Sequence, residues 1–112
     1  MANYQNITPV KLGQAAMTTS YATLYTTPLL TKTYLKQFDI ANTNSASIGL
    51  YVHLVPAAGT ATTANALAYN IPLAAASVLQ WTGVEIMEPG SMIQVKASAT
   101  GCTITASGGE AV

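Results

Sequence analysis

The chain has 112 residues, half of them hydrophobic and only 7% charged, with four lysines balancing four acids and no arginine. A typical soluble domain carries roughly 25% charged residues, so little repulsion keeps this chain from its neighbours, which suits packing against copies of itself or a larger particle. Four scattered lysines make no basic stripe for nucleic acid, and no apolar run reaches the ~20 residues of a membrane-spanning helix, so neither partner is expected.

Residues 1–7 read as an N-terminal arm. They lack the positive and apolar regions of a signal peptide, which points to synthesis in a host cytoplasm without export. Runs at 8–13 and 19–26 are the first strand candidates. In the next run, 33–40, Tyr34, Phe38 and Ile40 fall on one face, interrupted by Lys36. Asn42-Thr43-Asn44-Ser45 is a turn. Beyond it Ile48, Leu50, Val52 and Leu54 point one way, and Gly49, Tyr51, His53 and Val55 the other.

A small-residue loop fills 56–65. Leu67, Tyr69, Ile71 and Leu73 then share a face, and Pro72 marks that strand as an edge or a bulge because proline removes a ladder donor. Ile86 is expected inside, ahead of the turn Glu88-Pro89-Gly90-Ser91, which presets one φ with proline and allows positive φ at glycine. Ile93, Val95, Ala97 and Ala99 alternate once more. Thr100-Gly101 closes a hairpin to Cys102, Ile104 and Ala106. Gly108-Gly109 opens a flexible tail, 108–112. The fold expected is all-β: a single antiparallel sandwich over 8–107, jelly-roll-like, of about eight strands.

Chemistry has few carriers. The carboxylates are Asp39, Glu85, Glu88 and Glu110; one histidine and one cysteine complete the reactive set. Glu88 sits in an exposed turn, and a lone His53 lacks the clustered donors of a metal site, so it reads as a partly exposed or interface histidine. Cys102 lies in a strand-like run with no basic neighbour and reads as a small buried hydrophobe. No nucleophile elbow and no phosphate cradle is present. No catalytic residue, cofactor or metal is expected.

Six tyrosines against one phenylalanine are more informative, since tyrosine pairs an apolar body with a polar tip and is favoured at interfaces. Tyr34 and Tyr69 fall on the apolar faces of their strands. Tyr21 and Tyr25 share one face of a threonine-rich strand and could line a contact or a sugar-binding groove.

The carrying stretches are four. Tyr34 to Thr43 ends in Asn-Thr, and Ile48 to Pro56 ends in Val-Pro before a glycine loop. Thr82 to Ala99 contains Pro89-Gly90-Ser91-Met92-Ile93-Gln94-Val95, and Cys102 to Gly108 ends in Ile-Thr-Ala-Ser-Gly. Their order resembles that of small all-β virion structural proteins of tailed bacteriophages, over roughly the last two-thirds of the chain. The resemblance implies a non-enzymatic capsid decoration (cement) protein, located in the virion and bridging subunits of a major capsid protein or other virion subunits. It would be a homo-oligomer, with a trimer fitting lattice threefolds. Contacts would come from Met1, Asn3 and Tyr4 of the arm and from Tyr21, Tyr25, Tyr51, His53 and Trp81. The alternative is a tail, fibre or baseplate domain that binds host-surface glycan, for which the tyrosines and Trp81 would cluster in an exposed cleft.

Overall fold

A computed structural model describes residues 4–112, and eight strands run through them: β1 (Ile7–Ala16), β2 (Ala22–Thr26), β3 (Lys32–Asn42), β4 (Ile48–Val55), β5 (Ala66–Leu73), β6 (Val78–Met87), β7 (Met92–Ala97) and β8 (Cys102–Ala111). They form two antiparallel sheets of four, β1-β8-β3-β6 and β2-β7-β4-β5. Consecutive strands thus switch sheets at every step except β4 to β5, the order of a jelly roll. No helix among the described residues is long and apolar enough to cross a membrane.

The core lies between the sheets. Leu35, Phe38, Ile40, Met87, Cys102 and Ile104 face Ile48, Leu50, Val52, Ile93 and Val95, all essentially shielded from water. Phe38 stacks on Trp81 at 5.3 Å between centroids, so Trp81 is packed against the core rather than presented at a surface. Cys102 is buried, as its apolar surroundings in the sequence suggest, and burial pushes its thiol pKa up.

Bulges explain where the observed faces depart from strict alternation. Lys36 is an extra residue in β3 relative to β8, while β6 sets two residues, Gly83 and Val84, against it, so parity switches along β3: Leu35 points inward and Tyr34 outward, opposite Ile86 of β6. In β5, Asn70 takes a left-handed φ of 49°, which a non-glycine residue tolerates best when it is Asn or Asp. Register skips there, leaving Ala68 opposite Val52 and turning Tyr69 to the outer face, where it is 52% exposed. Pro72 indeed lies in an edge strand. A shift between Thr23 and Tyr25 separates Tyr21, on the outer face, from Tyr25, whose hydroxyl reaches between the sheets to Thr33 and Glu110.

Three expectations are corrected outright. Ile86 is 53% exposed, because the inward positions of β6 are Leu79, Trp81, Glu85 and Met87. Ile71 shares the inward side of Leu50, as expected, but at the sheet edge it stays 39% exposed. Residues 108–111 are no tail: they extend β8 between β1 and β3, with Gly108 opposite Leu35 and Ala111 opposite both Ile7 and Lys32. The arm also ends earlier than residue 7, since Asn6 and Val112 exchange backbone hydrogen bonds of 3.2 and 2.9 Å.

The sandwich closes differently at its two sides. Beside β1 and β2, the Leu24 side chain sits 2.7 Å from where a Gly13 Cβ would stand, so the two strands approach closely. On the far side, the edges of β5 and β6 are separated by an open cleft of about 480 Å³.

Candidate functional site

The outer face of β2-β7-β4-β5 gathers aromatic side chains from three places in the chain. Outward positions of β4 supply Tyr51 and His53, β5 supplies Tyr69 through its bulge, and Tyr21 enters from the residue preceding β2. Their rings meet edge to face: Tyr21 with His53 at 5.0 Å, Tyr51 with Tyr69 at 5.1 Å, and Tyr21 with Tyr51 at 6.4 Å. Such pairs add about 0.5–1.5 kcal/mol each beyond the area they bury. Lys96, opposite Tyr51 on β7, holds its ammonium over both Tyr51 (4.4 Å) and Tyr21 (4.7 Å), a cation–π arrangement that fixes the lysine without a carboxylate.

His53 is completely buried beneath this layer, where a partly exposed or interface histidine was expected. The loop after β4 folds back through the 3-10 turn Thr63–Asn65, and the Asn65 carbonyl oxygen accepts from His53 Nδ1 at 2.8 Å. Asn65 is oriented by donating its amide to the Thr60 carbonyl (2.9 Å) while its oxygen also accepts the Thr62 N–H (3.1 Å). With Nδ1 donating, Nε2 is left to accept the Tyr21 hydroxyl at 3.0 Å. Hydroxyl, imidazole and carboxamide thus follow one another as in a nucleophile relay. The chemistry runs the other way, however. Partial burial, with Tyr69 and Tyr51 alongside, raises the Tyr21 pKa, the opposite of what an activated nucleophile needs. The network braces the loop against the sheet.

The other sequence-derived candidates do not join this face. Tyr25 is turned between the sheets, where burial and a hydrogen bond to Glu110 push its pKa up to about 12. Trp81 stacks on Phe38. Tyr4 lies beneath the Lys32 ammonium at 4.9 Å, and Lys32 pairs with Glu88 at 3.6 Å. Met1 and Asn3 lie outside the described residues. Among those described, no group of three or more His, Cys, Asp or Glu side chains could hold a metal ion.

A second concave feature is the cleft between β5 and β6. The buried or half-buried Leu54, Leu67 and Met87 form its floor, and the exposed Pro56, Ala57, Ala64 and Ile86 border it together with Pro89 and Ser91. Its one inward carboxylate is Glu85, and Glu88 stands at the mouth.

The whole described sandwich has structural counterparts in an icosahedral virus. One is a chain of the T13 viral particle of infectious bursal disease virus, with a TM-score of 0.54 at 12% identity, covering 98% of this chain and 31% of that one. A chain of the Gx strain of the same virus gives a TM-score of 0.52 at 14% identity, covering 99% of this chain and 33% of the other. At such identities the shared property is the fold, and this chain spans about a third of the length of those it matches. No protein-family model matches the sequence, and no curated protein matches it.

Sequence reasoning did not single out Asn65 or Lys96, placed Tyr69 on an inner apolar face, and counted Glu85 among the carboxylates without giving it a role. Lys96 had a signal: it alternates outward between Val95 and Ala97, on the same outer face as Tyr51. Tyr69 and Asn65 had none, because a bulge and a returning loop place them.

Proposed function

We propose that this chain is a structural subunit of a virion, which works by occupying a surface and catalyses nothing. The observation that carries the reading is the eight-strand jelly roll, alike over its full length to a chain of an icosahedral particle. The finer assignment rests on the sequence resemblance: a decoration (cement) protein on a tailed-phage head, bridging major capsid protein subunits as a homo-oligomer, with a trimer suited to lattice threefolds. Low charge supports it, because few ionic groups need desolvating when flat faces meet. Burial at ~25 cal/mol per Å² then supplies the clamp, multiplied by the high effective concentration a lattice imposes. Residues before Asn6 would act as the arm that crosses a joint.

The contact face offered is the aromatic layer, with Tyr21, Tyr51 and Tyr69 at its surface. Its clustering also favours the second reading, a tail or fibre domain that stacks host glycan on tyrosine rings, although the rings form a sheet face and not a cleft. Quantitative mass spectrometry of purified particles of the encoding virus separates the two. A head subunit is present in a copy number matched to the capsid lattice and remains on tailless heads. A host-binding tail domain is present in a few copies and leaves with the tail.

A further inference from the structure

We infer that the cleft between β5 and β6 takes an extended peptide segment of a partner, added as a strand beside β6, with a basic side chain directed to Glu85. Three observations converge on this assignment. Glu85 is an inward position of β6, cross-strand from the buried Leu35, so a carboxylate occupies a place where the sandwich elsewhere puts apolar groups. The flanking Val84 and Ile86 are instead more than half exposed, with Ile86 bordering the cleft. A strand that inverts its apolar pattern loses burial on two residues, and such local violations concentrate at working sites.

Glu85 is also unpaired. Among the described residues the single ion pair is Lys32 with Glu88, and the Glu85 carboxylate has neither a hydrogen-bond donor nor a cation. The cleft is therefore apolar on its floor and anionic on one wall, complementary to a cation carried among apolar groups. Finally, β6 ends its sheet without the proline or lysine that commonly blunts an edge strand, and beyond its bulge at Gly83 and Val84 the residues Glu85, Ile86 and Met87 are regularly paired and border the cleft. By contrast β5 carries Pro72 and a left-handed Asn70, β1 carries Pro9 and Lys11, and β2 is five residues long. A segment laid on β6 gains backbone hydrogen bonds, and alternate side chains enter the cleft with the two-residue period of a strand.

The inference does not depend on the virion reading, since capture of such a segment would stand wherever the chain resides. The test uses the full chain and a capped peptide of sequence Thr-Val-Ser-Lys-Ser-Val-Thr, followed by amide NMR. The expected result is shifts confined to residues 54–57, 64–67 and 85–91. Affinity should fall on the order of fivefold in Glu85→Gln, the scale of a partly exposed ion pair, and equally when the peptide lysine is replaced by norleucine. Replacing both serines of the peptide by proline should abolish binding. Equal binding to Glu85→Gln, or shifts centred on Tyr51 and Tyr69, would overturn the proposal. If the same resonances move on concentrating the chain without peptide, the occupant is a second copy and the assignment to a partner peptide fails.

Discussion

Ile93 and Ile86 carry the same side chain, and both have the appearance of core residues in the sequence, yet the structure buries the first (1% exposed) and leaves the second 53% exposed. Truncating each to alanine removes three carbons. For Ile93 the lost transfer energy is about 2.5 kcal/mol at ~0.8 per carbon, and a residual cavity adds about 1 more. The sum, about 3–4 kcal/mol, is a large part of the ~5–15 kcal/mol that holds a domain of this size together. Ile86 retains only about half the transfer term and leaves no cavity, so Ile86→Ala should cost about 1 kcal/mol. Equilibrium urea unfolding followed by Trp81 fluorescence measures both, with unchanged m-values showing that the unfolded state is not altered. Equal costs for the two variants would refute the assignment of faces along β6, and with it the inward position of Glu85.

The glycine at 108 should be irreplaceable: a Cβ there would overlap the Tyr34 carbonyl, whereas at Gly109 the nearest atom is a side-chain methyl of Ile7 at 3.2 Å. Gly108→Ala should therefore cost about 2–3 kcal/mol or prevent folding, with Gly109→Ala clearly milder on the same unfolding curves. One of the six tyrosines should ionise near pH 12 in a spectrophotometric titration, and Tyr25→Phe should remove that step. Its folded pKa lies above the ordinary value of 10.0, so Tyr25 stabilises the fold below pH 10, and that contribution is lost as pH rises through about 12. Cys102 should resist a thiol reagent until the chain unfolds, since burial both blocks access and disfavours the thiolate; rapid labelling of the native protein would contradict its place in the core.

The strand order was open to reading because the punctuation is chemical. Asn-Thr, Pro-Gly and Thr-Gly steps carry turn geometry in the residues themselves, and alternation along 48–53 places Leu50 and Val52 inside and Tyr51 and His53 on the outer face, as found, whereas Val55, expected on that outer face, is buried. Faces failed wherever a bulge or an inverted position intervened. Nothing about Lys36 or Asn70 in isolation says that one residue will be skipped by its partner strand, and that skip alone decides whether Tyr34 and Tyr69 point in or out. Glu85 misleads more directly: a carboxylate between Val84 and Ile86 invites the reading that the aliphatics are inside. The burial of His53 was hidden because the loop that covers it returns through Asn65, twelve residues along the chain. Glycines at 108 and 109 read as a loose end, yet Gly108 is a close-approach position between paired strands.

The proposed role is seating on a viral particle. Particle mass, measured for heads of the encoding virus that lack the chain, before and after adding the purified protein, tests it most directly. The account predicts a saturable gain equal to an integral number of 11.6 kDa copies per lattice site, with no change in any other component. Heads that gain no mass, while the same protein is retained on host envelopes or their polysaccharide, would contradict it.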